Sequence, residues 1–320
     1  MPVATLARPI ATIIIPTYND AGDLARALEL ACAQTLRDIE IIVVDDGSAV
    51  PVSPAVSSDP RVSVIRRDVN GGVFAAQNTA IERATGKYIY LGSTNDPIDP
   101  EFLAVATGEL DANPAAGMCF FDPGVVSGEP EQKQGFSLHL ADRATYFEPD
   151  QFAERLRHRP FHLSSNTVVF RNDALRAVGG CRSEFGIYAD WFACVVAALR
   201  SGAVYIPRVL AFSRIHDSAF SNPRLWSNSV RSGYAATALR AIAAEFPEIC
   251  PRLRHSLITS EFGLCVLVAL REDPRVRPMV GLDGLAMASL RDAWGLVCKL
   301  MPADGRRLVR KLAMNARKAA

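Results

Sequence analysis

A mostly parallel α/β sheet followed by a helical extension is the architecture this chain predicts, and three observations point to it. Short β-branched runs alternate with helix-period segments through the first half, the pattern of a sheet covered by helices on both faces. Polar clusters stand where those runs end. Beyond residue 221 the pattern turns helical throughout, punctuated by Pro247, Pro251, Pro274 and Pro302.

The elements follow in order. Ile13-Ile14-Ile15 opens the sheet, and a helix over residues 20 to 33 carries Leu24, Ala27, Leu28 and Ala31 on one face. Residues 41 to 44 form the second strand, which ends on Asp45-Asp46-Gly47-Ser48. Residues 62 to 65 form the third, ahead of a glycine-containing loop and a helix over residues 73 to 84. Residues 87 to 91 make a strand ending near Asp96, 100 to 110 a helix and 118 to 121 a strand. From residue 125 to 160 the pattern loosens and becomes rich in Gly, Glu, Gln and aromatic residues, as in a long excursion shaping a cleft. A strand resumes over 167 to 170, Asp190 opens an apolar helix to Leu199, and 205 to 215 is extended up to His216. Residues 1–221 are thus expected to form the α/β domain and 222–320 a helical region. Ligands of open α/β sheets bind outside the carboxyl ends of the strands, which places the site along that edge.

Bulk properties narrow the function classes. The chain has 320 residues, 49% of them hydrophobic, enough for one large core and a smaller unit. Lys+Arg number 35 against 34 Asp+Glu, so no overall field draws the chain to nucleic acid. Seven cysteines without a Cys-x-x-Cys pair sit mostly in apolar settings and read as reduced core residues of a cytoplasmic protein. The first apolar run, residues 10 to 15, contains Thr12 and stops at Pro16, unlike a secretory leader, and residues 262 to 270 are too few to span a bilayer. A soluble or peripheral protein is expected. Arg306, Arg307, Arg310, Lys311, Arg317 and Lys318 interleave with Val309, Leu312, Ala313 and Ala316 near the terminus, a pattern that suits either a solvated charged end or a helix on an anionic membrane face.

Several clusters carry chemistry. Pro16-Thr17-Tyr18-Asn19 offers an aromatic ring and polar side chains with which a flat base can stack and hydrogen-bond, although Tyr18 also suits simple packing. Asp46 can accept from a base N–H and Asp45 from a ribose hydroxyl, while the same pair also reads as a turn-forming Asx unit. No Gly-x-Gly-x-x-Gly stands at the first strand-to-helix turn, which excludes a dinucleotide-binding oxidoreductase. Gly86-Lys87 runs on into Tyr88 rather than Ser or Thr, which excludes a phosphate-loop NTPase.

Taken jointly, Pro16-Thr17-Tyr18-Asn19, Val44-Asp45-Asp46-Gly47-Ser48, Asn70-Gly71-Gly72 with Ala75-Ala76-Gln77-Asn78, and Gly86-Lys87-Tyr88-Ile89 resemble successive blocks of family 2 glycosyltransferases. The resemblance covers residues 10 to 220. It implies a GT-A fold and inverting transfer from a nucleoside-diphosphate sugar, with UDP or dTDP favoured, to a hydroxyl of a glycan or lipid-linked acceptor in bacterial surface polysaccharide synthesis. It also implies that Pro16, Tyr18 and Asp46 line the base, with Thr17, Asn19, Asp45, Asn70, Gly71, Asn78 and Asn95 completing the nucleotide site. The block after the fourth strand would hold ribose and a divalent metal, Mn²⁺ or Mg²⁺, on the diphosphate.

Here the chain departs from the family. The usual Asp-x-Asp-Asp falls on Ser93-Thr94-Asn95-Asp96, leaving one carboxylate, and Val50 replaces a usual acid. Asp96 is the expected metal ligand and Ser93 a donor contact. Metal dependence is weakened accordingly, because hard divalent ions favour anionic oxygen. Asp190 matches the position of the general base, behind Val178-Gly179-Gly180 and with Ala189 where an acid often stands; it also suits a helix cap. Arg214-Ile215-His216 resembles the family's Arg-x-His, which implies His216 on the metal or diphosphate and Arg214 near it, while Trp191 suits an acceptor wall and packing equally. The rival reading is a non-catalytic sugar-nucleotide or glycan-binding module, against which the retained Asp190 argues.

Overall fold

Strands buried on both faces build the centre of the molecule. In β1 (Ala11–Thr17) every residue is buried, and in β2 (Ile39–Asp45) all but one. Such continuously apolar strands belong in a parallel sheet covered on both sides. The computed structural model describes residues 8–128, 131–158, 161, 163–214 and 228–300. Its main sheet adds β3 (Val62–Arg66), β4 (Tyr88–Leu91) and β5 (Met118–Phe121), all running with β1 and β2.

Side-chain alternation divides the core between the two faces. Ile13, Ile15, Ile41 and Val43 point one way, into Leu24, Leu28 and Ala31 of α1 (Ala21–Cys32). Ile14, Ile42 and Val44 point the other, into Ala76, Ala80 and Ile81 of α2 (Val73–Arg83). Helix α3 (Phe102–Ala112) joins α1 on its face. Each large apolar side chain so buried contributes about 1.5–3 kcal/mol.

The excursion over residues 125 to 160 holds more regular structure than its sequence predicts. Strands β6 (Gly124–Ser127) and β7 (Gln132–Gly135) form a hairpin. Strand β8 (Thr145–Phe147) takes an edge of the main sheet, and α4 (Pro149–His158) buries Phe152, Ala153 and Leu156. These strands are three or four residues long and β7 is exposed at every position, too short a pattern to mark a strand in the sequence.

Strand β9 (Val168–Arg171) inserts antiparallel between β4 and β5, which brings its start to the carboxyl ends of its neighbours. After α5 (Asn172–Ala177), α6 (Ala189–Ser201) runs almost wholly buried through the core. The extended segment expected over 205 to 215 divides. Strand β10 (Ala203–Ile206) joins the main sheet, and β11 (Phe212–Arg214) pairs with β6 in a small second sheet. The main sheet is ordered β3-β2-β1-β4-β9-β5-β10-β8, with β8 and β9 antiparallel to the rest.

Helices α7 (Asn228–Glu245), α8 (Cys250–Ser256), α9 (Val266–Glu272) and α10 (Leu282–Leu300) follow. Pro247, Pro251 and Pro274 stand in the first turns of helical segments, where a missing N–H costs nothing. Leu239, Ile242, Phe246, Leu253 and Phe262 share one buried cluster with Trp191, Phe192 and Val195 of α6. The two parts thus have a common core; the boundary expected near 221 and the basic terminus both lie outside the described residues. Cys119, Cys181 and Cys194 are buried free thiols, pushed up in pKa by burial. No helix among the described residues is long and apolar enough to cross a membrane.

Candidate active site

The ends of β1 and β2 are fastened to each other. The amide of Asp46 donates to Thr17 O at 2.9 Å. Asn19 adopts a left-handed φ of 52°. Its amide donates to Ser48 Oγ at 2.9 Å, and its Oδ1 accepts from the Ala49 amide at 2.8 Å. Asn19 is therefore a clamp between two strand ends. Gly47 has φ +78° and passes so close to the next loop that a Cβ would lie 2.8 Å from Asn70 N, so only glycine fits.

Asp45 and Asp46, neighbours in sequence, have different surroundings. Asp45 is fully buried; its oxygens accept from the amides of Ser48 and Val52, both at 2.9 Å, and pair with Arg66. Burial pushes its carboxyl up, but these hydrogen bonds and the Arg66 guanidinium outweigh it and leave the group below its usual range. The expected ribose contact gives way to this sealed structural role. Asp46 accepts from Gly72 N at 2.8 Å and Gly71 N at 3.1 Å and pairs with Arg67, while Asn70 Oδ1 accepts from Gly72 N at 2.9 Å. Beside it Tyr18 is 49% exposed, so its ring is open to a ligand, and Pro16 is buried in β1. Thr17 Oγ1 is buried with no hydrogen-bond partner, an arrangement that costs about 1–3 kcal/mol.

At the end of β4 the Ser93–Asp96 turn is closed by its own side chains. Ser93 Oγ donates to Asn95 Oδ1 at 3.0 Å and accepts from Asp96 N at 3.1 Å. Thr94 Oγ1 donates to Asp20 Oδ2 at 2.7 Å, joining this turn to the start of α1. Arg214 lies against it: its amide donates to Asp96 Oδ1 at 2.9 Å and its Nε to Asn95 O at 3.3 Å. The Arg214 guanidinium pairs with Glu131, whose other oxygen meets Arg26 Nη2 at 2.6 Å. Arg214 and then Arg26 hold the Glu131 carboxyl below its usual range. Strand β11 is kept here by Asn166, whose Nδ2 donates to Ser213 Oγ at 2.7 Å.

This donor set does not fit a preformed divalent-ion centre. It offers one carboxylate, Asp96, already accepting an amide, and two neutral side chains bonded to each other. Among the described residues no three His, Cys, Asp or Glu side chains gather in a metal-holding group. His216 lies outside the described residues.

Asp190 stands in the first turn of α6, with Oδ1 accepting from Trp191 N at 2.8 Å. Its segment is tied to the nucleotide corner through α2. At the N-terminal end of α2, Gly72 bonds Asp46; farther along, Asn78 donates to Cys181 O at 2.7 Å and accepts from Cys181 N at 2.8 Å. Asn78, expected in the nucleotide site, thus uses its amide to hold the turn that leads to Asp190. Trp191, expected at the acceptor wall, is 1% exposed and packs edge-on against Phe262 at 4.8 Å. Its neighbour Tyr188 meets the same Phe262 at 4.9 Å. Sequence reasoning passed over Asp20, Arg26, Arg66, Arg67, Glu131 and Asn166, since none lies in a recognised block.

Comparison with known proteins decides the family. The Glycosyl transferase family 2 model matches residues 12–176. The chain belongs to glycosyl transferase family 2. An uncharacterized glycosyltransferase of Rickettsia typhi is 38% identical to this family 2 chain over 232 residues, 68% of this chain and 67% of the relative. The succinoglycan biosynthesis protein ExoO of Rhizobium meliloti is 37% identical over 106 residues, 32% of this chain and 30% of that protein. Other bacterial relatives are matched over only 19% and 41% of their lengths. Among solved structures, S. aureus TarS 1-349 in complex with UDP-GlcNAc has a TM-score of 0.61 at 18% identity, covering 88% of this chain and 82% of that one. A Pyrobaculum calidifontis mannosyltransferase in complex with GDP-Man and Mn²⁺ has a TM-score of 0.52 at 18% identity, covering 91% and 88%. These likenesses show a GT-A fold.

Proposed function

We propose that this family 2 chain is an inverting hexosyltransferase. Its donor is a nucleoside-diphosphate sugar, UDP- or dTDP-linked, and its acceptor a hydroxyl of a glycan or lipid-linked glycan in bacterial surface polysaccharide synthesis. The observation that carries this reading is the α2 connection: one helix binds the Asp46 corner at its start and, farther along, the turn at Cys181, nine residues ahead of Asp190. Tyr18 would stack on the base, with Asp46, which the Gly71–Gly72 amides and Arg67 hold in place, at its edge. The relative in succinoglycan biosynthesis and the TarS complex support the pathway and the donor class.

In the step itself the acceptor oxygen forms a bond to the anomeric carbon while the bond from that carbon to the diphosphate oxygen breaks. The electron pair leaves with the diphosphate, and the hydroxyl proton passes to the Asp190 carboxylate. The charge that develops on the leaving diphosphate has to be neutralised, and the Ser93–Asp96 turn, with its single carboxylate already accepting an amide, does not supply a preformed metal centre for this.

A thermal-shift series with UDP, dTDP, GDP and CMP tests the donor side, since only ligands of the native state raise the melting temperature. UDP or dTDP is expected to stabilise the wild type, and Asp46→Asn to lose that response. No response to any of the four, or an unchanged response in Asp46→Asn, would contradict the reading.

A further inference from the structure

Where a metal-dependent relative would place three carboxylates, this chain places one, and beside it two guanidinium groups converge on a single carboxylate. Arg214 comes from β11 and lies against the Ser93–Asp96 turn through Asp96 Oδ1 and Asn95 O. Arg26 comes from α1, whose leading Asp20 is bonded to Thr94 of the same turn. Glu131, at the tip of the β6–β7 hairpin, bridges both. The three side chains are 49%, 25% and 23% exposed for Arg26, Arg214 and Glu131, so a ligand can reach them.

We propose that Arg26 and Arg214 are the diphosphate-binding residues of this chain, and that Glu131 is a carboxylate placeholder which the donor's diphosphate displaces. The proposal rests on the nucleotide-sugar reading above and specifies how its leaving group is neutralised. Planar guanidinium groups bind carboxylate and phosphate with the same paired N–H geometry, so one anion can replace the other without rebuilding the site. The exchange favours the donor because a diphosphate carries more charge than a carboxylate and presents more acceptor oxygens. Two fixed cations also suit the charge that develops on the diphosphate as the glycosidic bond breaks. Such a site suits Ser93 and Asn95, because carboxylates at those positions would repel the diphosphate in the absence of a metal. Displaced Glu131, at a solvent-facing hairpin tip, needs only to rotate its side chain into water while the β6–β11 pairing that places Arg214 is kept.

Calorimetric titrations with UDP and with uridine test this, each in EDTA and in Mn²⁺, on the wild type, Glu131→Gln and Arg26→Gln. In EDTA the wild type should bind UDP about tenfold or more tighter than uridine. Glu131→Gln should tighten UDP about tenfold further by removing the competing carboxylate, and Arg26→Gln should weaken it by a similar factor. Uridine, which has no phosphate, should bind all three proteins alike, and that equality also reports that the variants are folded. UDP binding that requires Mn²⁺, or is indifferent to both substitutions while uridine still binds, overturns the proposal and leaves the nucleotide site standing. Absence of binding by both UDP and uridine overturns the nucleotide reading together with the proposal.

Discussion

The two edges of the main sheet use arginine in opposite ways. At the carboxyl edge Arg66, Arg67, Arg26 and Arg214 all face carboxylates. At the amino edge Arg171 donates to Ala116 O at 3.0 Å and Leu110 O at 2.9 Å, and Arg176 donates to Ala84 O at 3.1 Å. Those carbonyls lie at and just beyond the C-terminal ends of α3 and α2, where unpaired C=O groups and the helix dipole favour a cation. The amino-edge cleft of about 750 Å³ is lined by Arg171, Arg176, Lys87 and Gly86. There the guanidinium groups cap backbone carbonyls, whereas Arg26 and Arg214 at the carboxyl edge meet a part-exposed side-chain anion, Glu131, that a ligand anion can replace. A rich supply of positive charge therefore marks a binding site only where its partners are exchangeable.

Substitutions at the two edges should separate catalysis from stability. The largest effect is expected at Asp190: Asp190→Asn keeps size and the bond from Trp191 N but removes the basic oxygen. Turnover should fall about 100-fold or more, the scale of a general base, with donor affinity within about twofold. Steady-state kinetics with equilibrium donor titration checks this, and wild-type turnover would remove Asp190 from the mechanism. At the opposite edge Arg171→Ala should cost about 2 kcal/mol of stability, the scale for charge-assisted hydrogen bonds, and leave UDP affinity unchanged. Urea denaturation and nucleotide titration read the two quantities independently. A loss of UDP affinity with intact stability would reverse the assignment of the edges.

Smaller effects sharpen the same division. Asp45 titrates below its ordinary value of 3.8 in the folded protein, so its contribution to stability is present above that pH and is lost as pH falls through the lower folded value. The wild type should lose stability on acidification below about pH 4, and Asp45→Asn should be less stable at neutral pH with a shallower acid decline. Equal slopes in denaturation midpoints against pH would show that Asp45 is not the linked group. The smallest effect is Lys87→Ala: the ion pair to Asp111 is half exposed on both sides, and its loss should change stability by less than about 1 kcal/mol. A larger loss would mean that the amino edge depends on surface charge more than on the arginine caps.

What was legible in the sequence followed the strength of the local pattern. Buried strands such as Ile13-Ile14-Ile15 and 118 to 121 announce themselves through β-branched and aromatic runs, and the strand-end blocks lie where an open sheet gathers its ligands. The hairpin β6–β7 and edge strand β8 were hidden because runs of three or four residues are too short to carry a periodicity, and β7 is exposed throughout. Within the blocks, residue type did not disclose direction. Asp45 and Asp46 read alike, yet one is sealed by Arg66 and two amides, and the other holds the Gly71–Gly72 loop. Asn78 has the amide of a ligand contact, yet both ends of that amide are taken by the Cys181 backbone. Arg26 and Glu131 are separated by 105 residues and meet only through the tertiary fold.

Amide hydrogen exchange of the wild type with and without saturating UDP tests most directly the claim that the nucleotide site occupies the carboxyl edge. The account predicts slowed exchange at residues 17–19, 46–48, 70–72 and 93–96, and unchanged exchange at 84–87 and 171–176 of the amino edge. Protection confined to the amino-edge cleft, with the carboxyl-edge loops unaffected, would contradict it.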